Sequence, residues 1–258
     1  PPSPDGIAMC QDVVLKEPRN GEDGDMNDTM IGVDLAKSVF QLHGASMTGQ
    51  LKYRKKLTRS QFRKFMADQP PSVVVMEACG SAHYWTREMV RLGHDVKLIP
   101  PIYVKPFVKR GAKNDANDAA AIATAVRQPG MRFVRIKSQE QQSHAMLFRS
   151  HQTFTRQRAQ LLITLRGHLA EHGIIVAKGN AALLAFAETL EAEAGLVPDL
   201  VLESARLYYH HIDQLAQTVV TLERQMGEAT KRDKDMRRLR TMPGVGPISA
   251  AAFLAFAP

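Results

Sequence analysis

Four carboxylates stand where acidic side chains could act on one common ligand. Asp34 follows the short apolar run "MIGV", and Glu77 follows "VVVM". Acids at the ends of such runs are rarely buried unless they are paired or bound to a metal. Asp115 and Asp118 are three residues apart, so on a helix they project about 60° apart around its axis. Converging carboxylates repel one another unless divalent cations hold them, and Mg²⁺ is the hard ion that prefers oxygen ligands and phosphate.

Each of these acids also has a purely structural interpretation. Asp34 could form a turn, and Glu77 could cap a helix that begins at Ser81. Asn114 or Asp115 could be the N-cap of the alanine-rich helix that follows, with Asp118 in its first turn near the positive end of the helix dipole. The residues alone leave both interpretations open. A pair of bound cations would favour phosphodiester chemistry, because it can activate a nucleophile and stabilise a leaving oxygen.

The elements around these acids predict a layered α/β domain over residues 29–136. Three strands are predicted in "MIGVDLA", "SVFQLHGA" and "GQLKYRKKL". A helix is predicted to open at Ser60, followed by the strand "SVVVMEA", a helix, the strand "DVKLIP" and a helix that begins near Asp115. If the strands that carry Asp34 and Glu77 are parallel neighbours, the two acids lie side by side at the edge where α/β sheets bind ligands.

The charge of the chain favours a polyanionic partner. Residues 1–30 hold seven acids and two bases, so the remainder carries 19 acids against 32 bases, a net charge of +13. A body this basic indicates nucleic acid, although a basic patch can also be a solvated surface. The candidate phosphate contacts fall into two groups: Lys52, Arg54, Lys55 and Lys56 in the third strand, and Lys105, Lys109, Arg110 and Lys113 before the Asp115–Asp118 pair.

Residues 139–235 predict an all-α coiled-coil region. Its apolar seam recurs at alternating spacings of three and four through Ala205, Tyr208, Ile212, Leu215, Val219, Leu222 and Met226. Such a seam fits an intramolecular hairpin or a dimer interface. Residues 236–258 then carry the turn "MPGVGP", and its Gly244 and Gly246 resemble the hairpin of helix-hairpin-helix modules, which present backbone N–H groups to phosphate.

The remaining composition limits the compartment and the ends of the chain. Cys10 and Cys79 have no metal-ligand spacing and suit a reducing cytoplasm. No apolar run approaches the length of a membrane span, which is about 20 residues. Residues 1–28 are acidic and rich in Pro and Gly, so they predict a disordered tail. The chain begins at Pro1 and ends at Pro258 directly after an apolar run, as expected for a piece of a longer product.

Two rival motifs are weaker. "HLAEH", from His168 to His172, fits a zinc-peptidase pattern that needs both histidines on one helix face, but no third ligand is evident. "IGVDLAKS" is similar to the first phosphate loop of actin-like ATPases and sugar kinases. Those proteins use glycine where Ala36 stands, and no second glycine-rich loop follows.

Together, "IGVDLAKSVFQLHG", "VVVMEACGSAHYW" and "KNDANDAAAIA" resemble the DEDD transposases of bacterial insertion sequences, the insertion sequence 110 family. The resemblance covers about residues 30–258, and the three motifs in this order are specific as a set. It implies a RuvC-like N-terminal domain of the ribonuclease H fold, followed by the helical coiled-coil region. "LRTMPGVGPISAAAFLAF" then matches the start of the family's helical C-terminal transposase domain.

The resemblance also implies a function. Asp34, Glu77, Asp115 and Asp118 take the positions of the four acids, which would bind Mg²⁺ or Mn²⁺ and cleave and rejoin DNA during transposition in the bacterial cytoplasm. An element-encoded guide RNA and a homo-oligomer built through the helical region are further implied partners. The family's serine nucleophile would lie beyond Pro258, so residues 1–258 alone are expected to bind DNA or RNA without recombining it. A RuvC-like structure-specific endonuclease and a non-catalytic nucleic-acid-binding coiled-coil protein are the alternatives.

Overall fold

The computed structural model describes residues 28–108, 115–177 and 197–257, without the side chains of residues 115–117. The chain divides into two compact units, residues 1–134 and 135–258. The first is α/β and the second is helical in its described part. This confirms the predicted fold class of an α/β domain followed by a helical region. The predicted disordered tail over residues 1–28 lies outside the described residues except for Asp28.

A single five-stranded sheet organises the described part of the first unit. Its spatial order is β3-β2-β1-β4-β5. The first three strands form an antiparallel meander, and β4 and β5 run parallel to β1. The strands are β1 (Met30–Leu35), β2 (Val39–Ala45), β3 (Leu51–Thr58), β4 (Val73–Glu77) and β5 (Asp95–Ile99).

One face of this sheet packs against α1 (Arg59–Ala67) and α2 (Ala82–Arg91). An aromatic cluster joins β2 to the two helices, since the ring of Phe40 lies 5.2 Å from Phe62 of α1 and 5.0 Å from Trp85 of α2 in edge-to-face geometry. Helix α1 begins one residue earlier than the Ser60 opening predicted from the sequence. Thr58 is its N-cap and forms a capping box with Gln61, which satisfies the backbone N–H groups of Thr58 and Gln61.

The opposite face packs against α4 (Asp115–Ala125), which follows the short helix α3 (Pro101–Val104) and a 3₁₀ turn at Lys105–Phe107. The core on this side is built from Met30, Val73, Val75, Ile99, Val104, Ala121, Ile122, Ala123 and Ala125. Small alanines on α4 let the helix lie close to the sheet. This face also carries Asp34 and Glu77, because side chains alternate between the two faces along each strand.

Two long helices dominate the described part of the second unit. Helices α5 (Gln139–Ala170) and α6 (Asp199–Arg232) pack antiparallel, with Leu165 and Leu169 against Leu202, Ala205 and Ile212. At the other end, His151 Nε2 lies 3.1 Å from the carboxylate of Glu223. The seam on α6 is therefore filled within one chain, as in the hairpin alternative.

The described part of the second unit ends in two short helices joined by a turn. Helix α7 (Lys234–Leu239) is capped by the side chain of Asp233, and α8 (Pro247–Phe256) begins after Gly246. The turn between them contains Gly244 at φ +84°, a left-handed conformation that favours glycine. None of the helices in the described residues is both long and apolar enough to cross a bilayer.

Candidate active site

Asp34 and Glu77 end neighbouring parallel strands on one face of the sheet. Strand β1 pairs with β4 through Val33 and Met76, so the next residues, Asp34 and Glu77, lie on adjacent strands about 4.8 Å apart. Asp34 is also paired with Gln41 of β2. Its place inside the strand ladder excludes the turn-forming interpretation of this residue.

The environment of Glu77 also disfavours its helix-capping interpretation. Ser81 is the N-cap of α2, and the end of this helix receives no side-chain capping hydrogen bond. Burial raises the pKa of the Glu77 carboxyl, and the negative charge of Asp118 raises it further. Hydrogen bonds from helix N–H groups would have the opposite effect on a carboxylate. Glu77 is instead coupled to another acid.

Helix α4 brings Asp118 to this edge because it crosses β1 at Gly32. A Cβ at Gly32 would lie 2.5 Å from the carbonyl oxygen of Ala119 and 3.0 Å from the backbone nitrogen of Ala123. Only glycine permits this approach. Gly32 and Asp34 are two residues apart on the same face, and Asp118 directly precedes Ala119, so the crossing brings the start of α4 to the edge where Glu77 lies, and Asp118 acts on the Glu77 carboxyl.

The donor set of this edge consists of hard carboxylate oxygens. Asp34, Glu77 and Asp118 are half-buried. Asp115 is the first residue of α4, and its side chain is outside the described part. Within the described residues, no three His, Cys, Asp or Glu side chains already lie close enough together to hold a metal ion. The fit to Mg²⁺ or Mn²⁺ therefore rests on ligand chemistry and on the coupling between Glu77 and Asp118.

The basic residues of β3 fall into distinct environments. Lys52 Nζ donates to the backbone oxygen of Asp28 at 2.7 Å and to Thr29 Oγ1 at 2.8 Å, which ties down the start of β1. Lys55 lies over the ring of Phe65, with Nζ 5.1 Å from its centroid. Arg54 is paired with His43, whose pKa is lowered by burial and then by the charges of Arg54 and Arg127.

Lys56 is exposed and pairs through its backbone with Gln41. The second predicted group of cations is largely outside the described residues. Lys105 is exposed in the 3₁₀ turn, and Lys109, Arg110 and Lys113 are not described. The predicted phosphate-contacting role of that group stays a prediction.

Gly244 and Gly246 belong to the second unit. A Cβ at either position would meet open space, so no steric demand explains Gly246. Val245 N–H donates to Met242 at 3.1 Å, which closes the turn. The predicted role of this turn in binding phosphate stays a prediction.

The rival histidine motif does not have the geometry that it needs. Helix α5 ends at Ala170, and His172 lies in the turn after it, so His168 and His172 do not share a helix face. His168 instead lies near Tyr208, with ring centroids 6.1 Å apart. His168 and His172 are four residues apart in sequence, but only His168 is on the helix, so the two side chains do not form a ligand pair.

Two positions at this edge were missed by the reasoning from sequence. Gly32 carries no reactive group, yet it sets the distance between α4 and β1. Its signal was a glycine inside an otherwise apolar strand, which often marks close backbone approach. Gln41 was also missed, because its place beside Asp34 depends on the register between β1 and β2.

Sequence comparisons with known proteins find transposases. A family model described as "Transposase", for the DEDD transposases of insertion sequence 110, matches residues 31–174. The chain is 44% identical over 234 residues to a Pseudomonas aeruginosa protein classed as a family 20 transposase, covering 90% of this chain and 69% of that protein. It is 35% identical over 260 residues to the transposase for insertion sequence element IS1111A of Coxiella burnetii, covering 99% and 70%.

A Sinorhizobium fredii protein classed as a transposase is 39% identical over 246 residues, with 95% of this chain and 63% of that protein covered. The chain thus spans between 63% and 70% of the length of these relatives. Among solved structures, Thermus thermophilus RuvC aligns at 12% identity with a TM-score of 0.32, covering 41% of this chain and 99% of that one.

Proposed function

This chain belongs to the DEDD transposases of the insertion sequence 110 family, and from that premise we propose that it supplies the metal-dependent cleavage of DNA phosphodiester bonds in the cutting and rejoining that move an insertion element. The observation that carries the proposal is the coupling of two acids at one sheet edge. Asp118 raises the pKa of Glu77, and Glu77 lies on the strand next to Asp34. Residues 29–136 are the proposed catalytic domain.

The proposed role of the acids is to hold divalent cations against the DNA backbone. Asp34, Glu77 and Asp118, with Asp115, would be the ligands of Mg²⁺ or Mn²⁺. When bound, such ions supply Lewis-acid stabilisation of the attacking and leaving oxygens of a phosphodiester. The carboxylates repel one another in the absence of cations, so cation binding is expected to draw this edge together and stabilise the fold.

The chain's own backbone supports this role through rigidity. Asp34 and Glu77 are fixed by the strand ladder on adjacent strands, and Asp118 is fixed by the glycine crossing of α4 over β1. Ligands on strands and helices keep their positions better than ligands on loops. The four acids are therefore proposed to be the catalytic and metal-binding residues.

DNA is the proposed partner, and the net charge of +13 over residues 31–258 suits it. An element-encoded guide RNA is proposed as a second partner on the family relationship alone. A homo-oligomer through the helical region is also proposed. Because α5 fills the seam of α6, such an oligomer would use the outward face of α6, on the side away from the seam, where Leu207 is 74% exposed.

The test is nicking of supercoiled DNA by the purified chain with Mg²⁺ or Mn²⁺. We expect nicking that requires the metal and falls by at least about a hundredfold in Asp34→Asn and Glu77→Gln. The control is Asp95→Asn, which removes an exposed acid at the opposite end of the strands, in β5. Equal nicking in all four proteins would overturn the catalytic assignment of these acids.

A further inference from the structure

The pairing register of β3 decides which of its cations project from the face that carries the carboxylates. We propose that Lys56 is the residue that holds a DNA phosphate beside them. This inference rests on the proposed function and deepens it, because it names the side of the acidic edge along which the DNA strand runs. The strand would pass from Asp34 and Glu77 over Gln41 to Lys56.

A single row of residues crosses four strands at the edge that carries the acids. Asp34 is paired with Gln41, and Gln41 is paired with Lys56. Paired residues on neighbouring strands project from the same face, so Lys56, Gln41, Asp34 and Glu77 share one face in that order. Strand spacing places the backbone of Lys56 about 10 Å from that of Asp34. This distance matches the rise of about three nucleotides along one strand of B-DNA.

The neighbouring residue, Lys55, projects from the other face. It is paired with Leu42, which is buried under α1 and α2, and its ammonium lies over Phe65 of α1. Lys55 and Lys56 therefore have the same charge and adjacent positions but face opposite sides of the sheet. The predicted basic patch of β3 is not one surface.

Two cations of β3, Lys56 and Arg54, project from the face of the acids, and their exposed side chains make no hydrogen bond or ion pair to a described residue. Of these two, Lys56 is the one in the same row as Gln41 and Asp34. Lys52 holds Asp28 and Thr29, and Lys55 lies over Phe65. The side chain of Lys56 is exposed and makes no hydrogen bond or ion pair to any described residue. Nothing in the described part of the chain explains a lysine at this position structurally.

The position suits a phosphate better than a protein carboxylate. Mg²⁺ in proteins is usually held by one or two carboxylates together with phosphate oxygens of the substrate, so a cation on Asp34 and Glu77 would complete its ligands with phosphate rather than with further protein carboxylates. A lysine about 10 Å away gives the nucleic acid a fixed anchor without neutralising the acids themselves. Gln41, between them, offers an amide that can donate to a phosphate oxygen.

The experiment compares two adjacent lysines. Binding of the full 258-residue chain to a short fluorescein-labelled DNA duplex is measured by anisotropy over a salt series, in EDTA so that cleavage cannot occur. We expect Lys56→Ala to weaken binding about tenfold at low salt and to reduce the slope of log affinity against log salt by about 1. Lys55→Ala is the matched control and should leave both values near wild type. Lys56→Arg should restore binding.

Several outcomes would overturn the inference. These are equal losses in Lys55→Ala and Lys56→Ala, no loss in Lys56→Ala, or a loss confined to a structured RNA hairpin used as a second probe. Thermal unfolding of each variant identifies any loss of binding that comes from misfolding, and Lys56→Gln then replaces the alanine variant. Failure of the proposed function can be told apart from failure of this inference. In the first case, nicking would be unaffected by Asp34→Asn, while the Lys55 and Lys56 variants would still differ in DNA binding.

Discussion

Gly32 of β1 lies against Ala119 of α4 so closely that a Cβ on the strand would be 2.5 Å from the helix carbonyl oxygen. This contact sets how near α4, which carries Asp118, comes to β1, which carries Asp34. A residue without a side chain thus controls the geometry of the proposed carboxylate site. Its effect is positional, since Gly32 has no group that could touch a substrate.

Substituting Gly32 by alanine should displace α4 from β1. The atom that the new methyl group meets is backbone, so neither neighbour can move away alone. We expect Gly32→Ala to lower the free energy of unfolding by about 1–3 kcal/mol, measured by urea denaturation. It should also reduce stabilisation by Mn²⁺. Gly80→Ala is the control, because a Cβ there meets open space. Wild-type behaviour of Gly32→Ala would contradict the close crossing.

The stability of the first unit should decrease on acidification because of His43. Burial, and then the charges of Arg54 and Arg127, lower the pKa of His43 below 6.5 in the folded protein. The unfolded chain therefore takes up this proton first. As the pH falls from 6.5 through the folded pKa, the free energy of unfolding declines, and below that range this contribution stays constant.

The measurement for His43 is a series of urea unfolding curves over pH. His43→Gln should remove this part of the pH dependence, and Arg54→Gln should shrink it, because one of the charges that lowers the pKa is gone. An unchanged pH dependence in His43→Gln would show that His43 is not the responsible group.

The interface between α5 and α6 gives a contrast between two residues of one helix. Ile212 is 0% exposed in the seam, whereas Leu207 is 74% exposed. Ile212→Ala should cost about 2–5 kcal/mol of unfolding free energy, because it opens a cavity in the hairpin. Leu207→Ala should change the unfolding free energy of the monomer little. If the outward face of α6 forms the proposed oligomer, this variant should also have a lower apparent mass in sedimentation. Equal losses of stability in both variants would contradict the hairpin packing.

Much of the first unit was predictable because its local signals agree with its tertiary structure. The strands around Asp34 and Glu77 were predicted close to their true limits, since β-branched runs and alternating runs have clear boundaries. The start of α1 was wrong by one residue, because Thr58 and Ser60 are both good caps and only the capping box with Gln61 decides between them.

The rest depends on register and on contacts distant in sequence. The separation of Lys55 from Lys56 onto opposite faces follows from the pairing of β3 with β2 and not from composition. The filling of the α6 seam by α5 could not be derived from the seam itself, because the same spacing serves a hairpin or a dimer. His172 failed as a ligand partner because the helix ends at Ala170, two residues before it.

The most direct test of the carboxylate site is a Mn²⁺ titration followed by calorimetry, with thermal unfolding of the same samples. Binding should raise the melting temperature of the wild-type chain. Glu77→Gln and Asp118→Asn should each weaken Mn²⁺ binding by at least about tenfold, while Asp95→Asn should bind as the wild type does. If Glu77→Gln and Asp118→Asn bound Mn²⁺ with wild-type affinity, the two acids would not form one metal site.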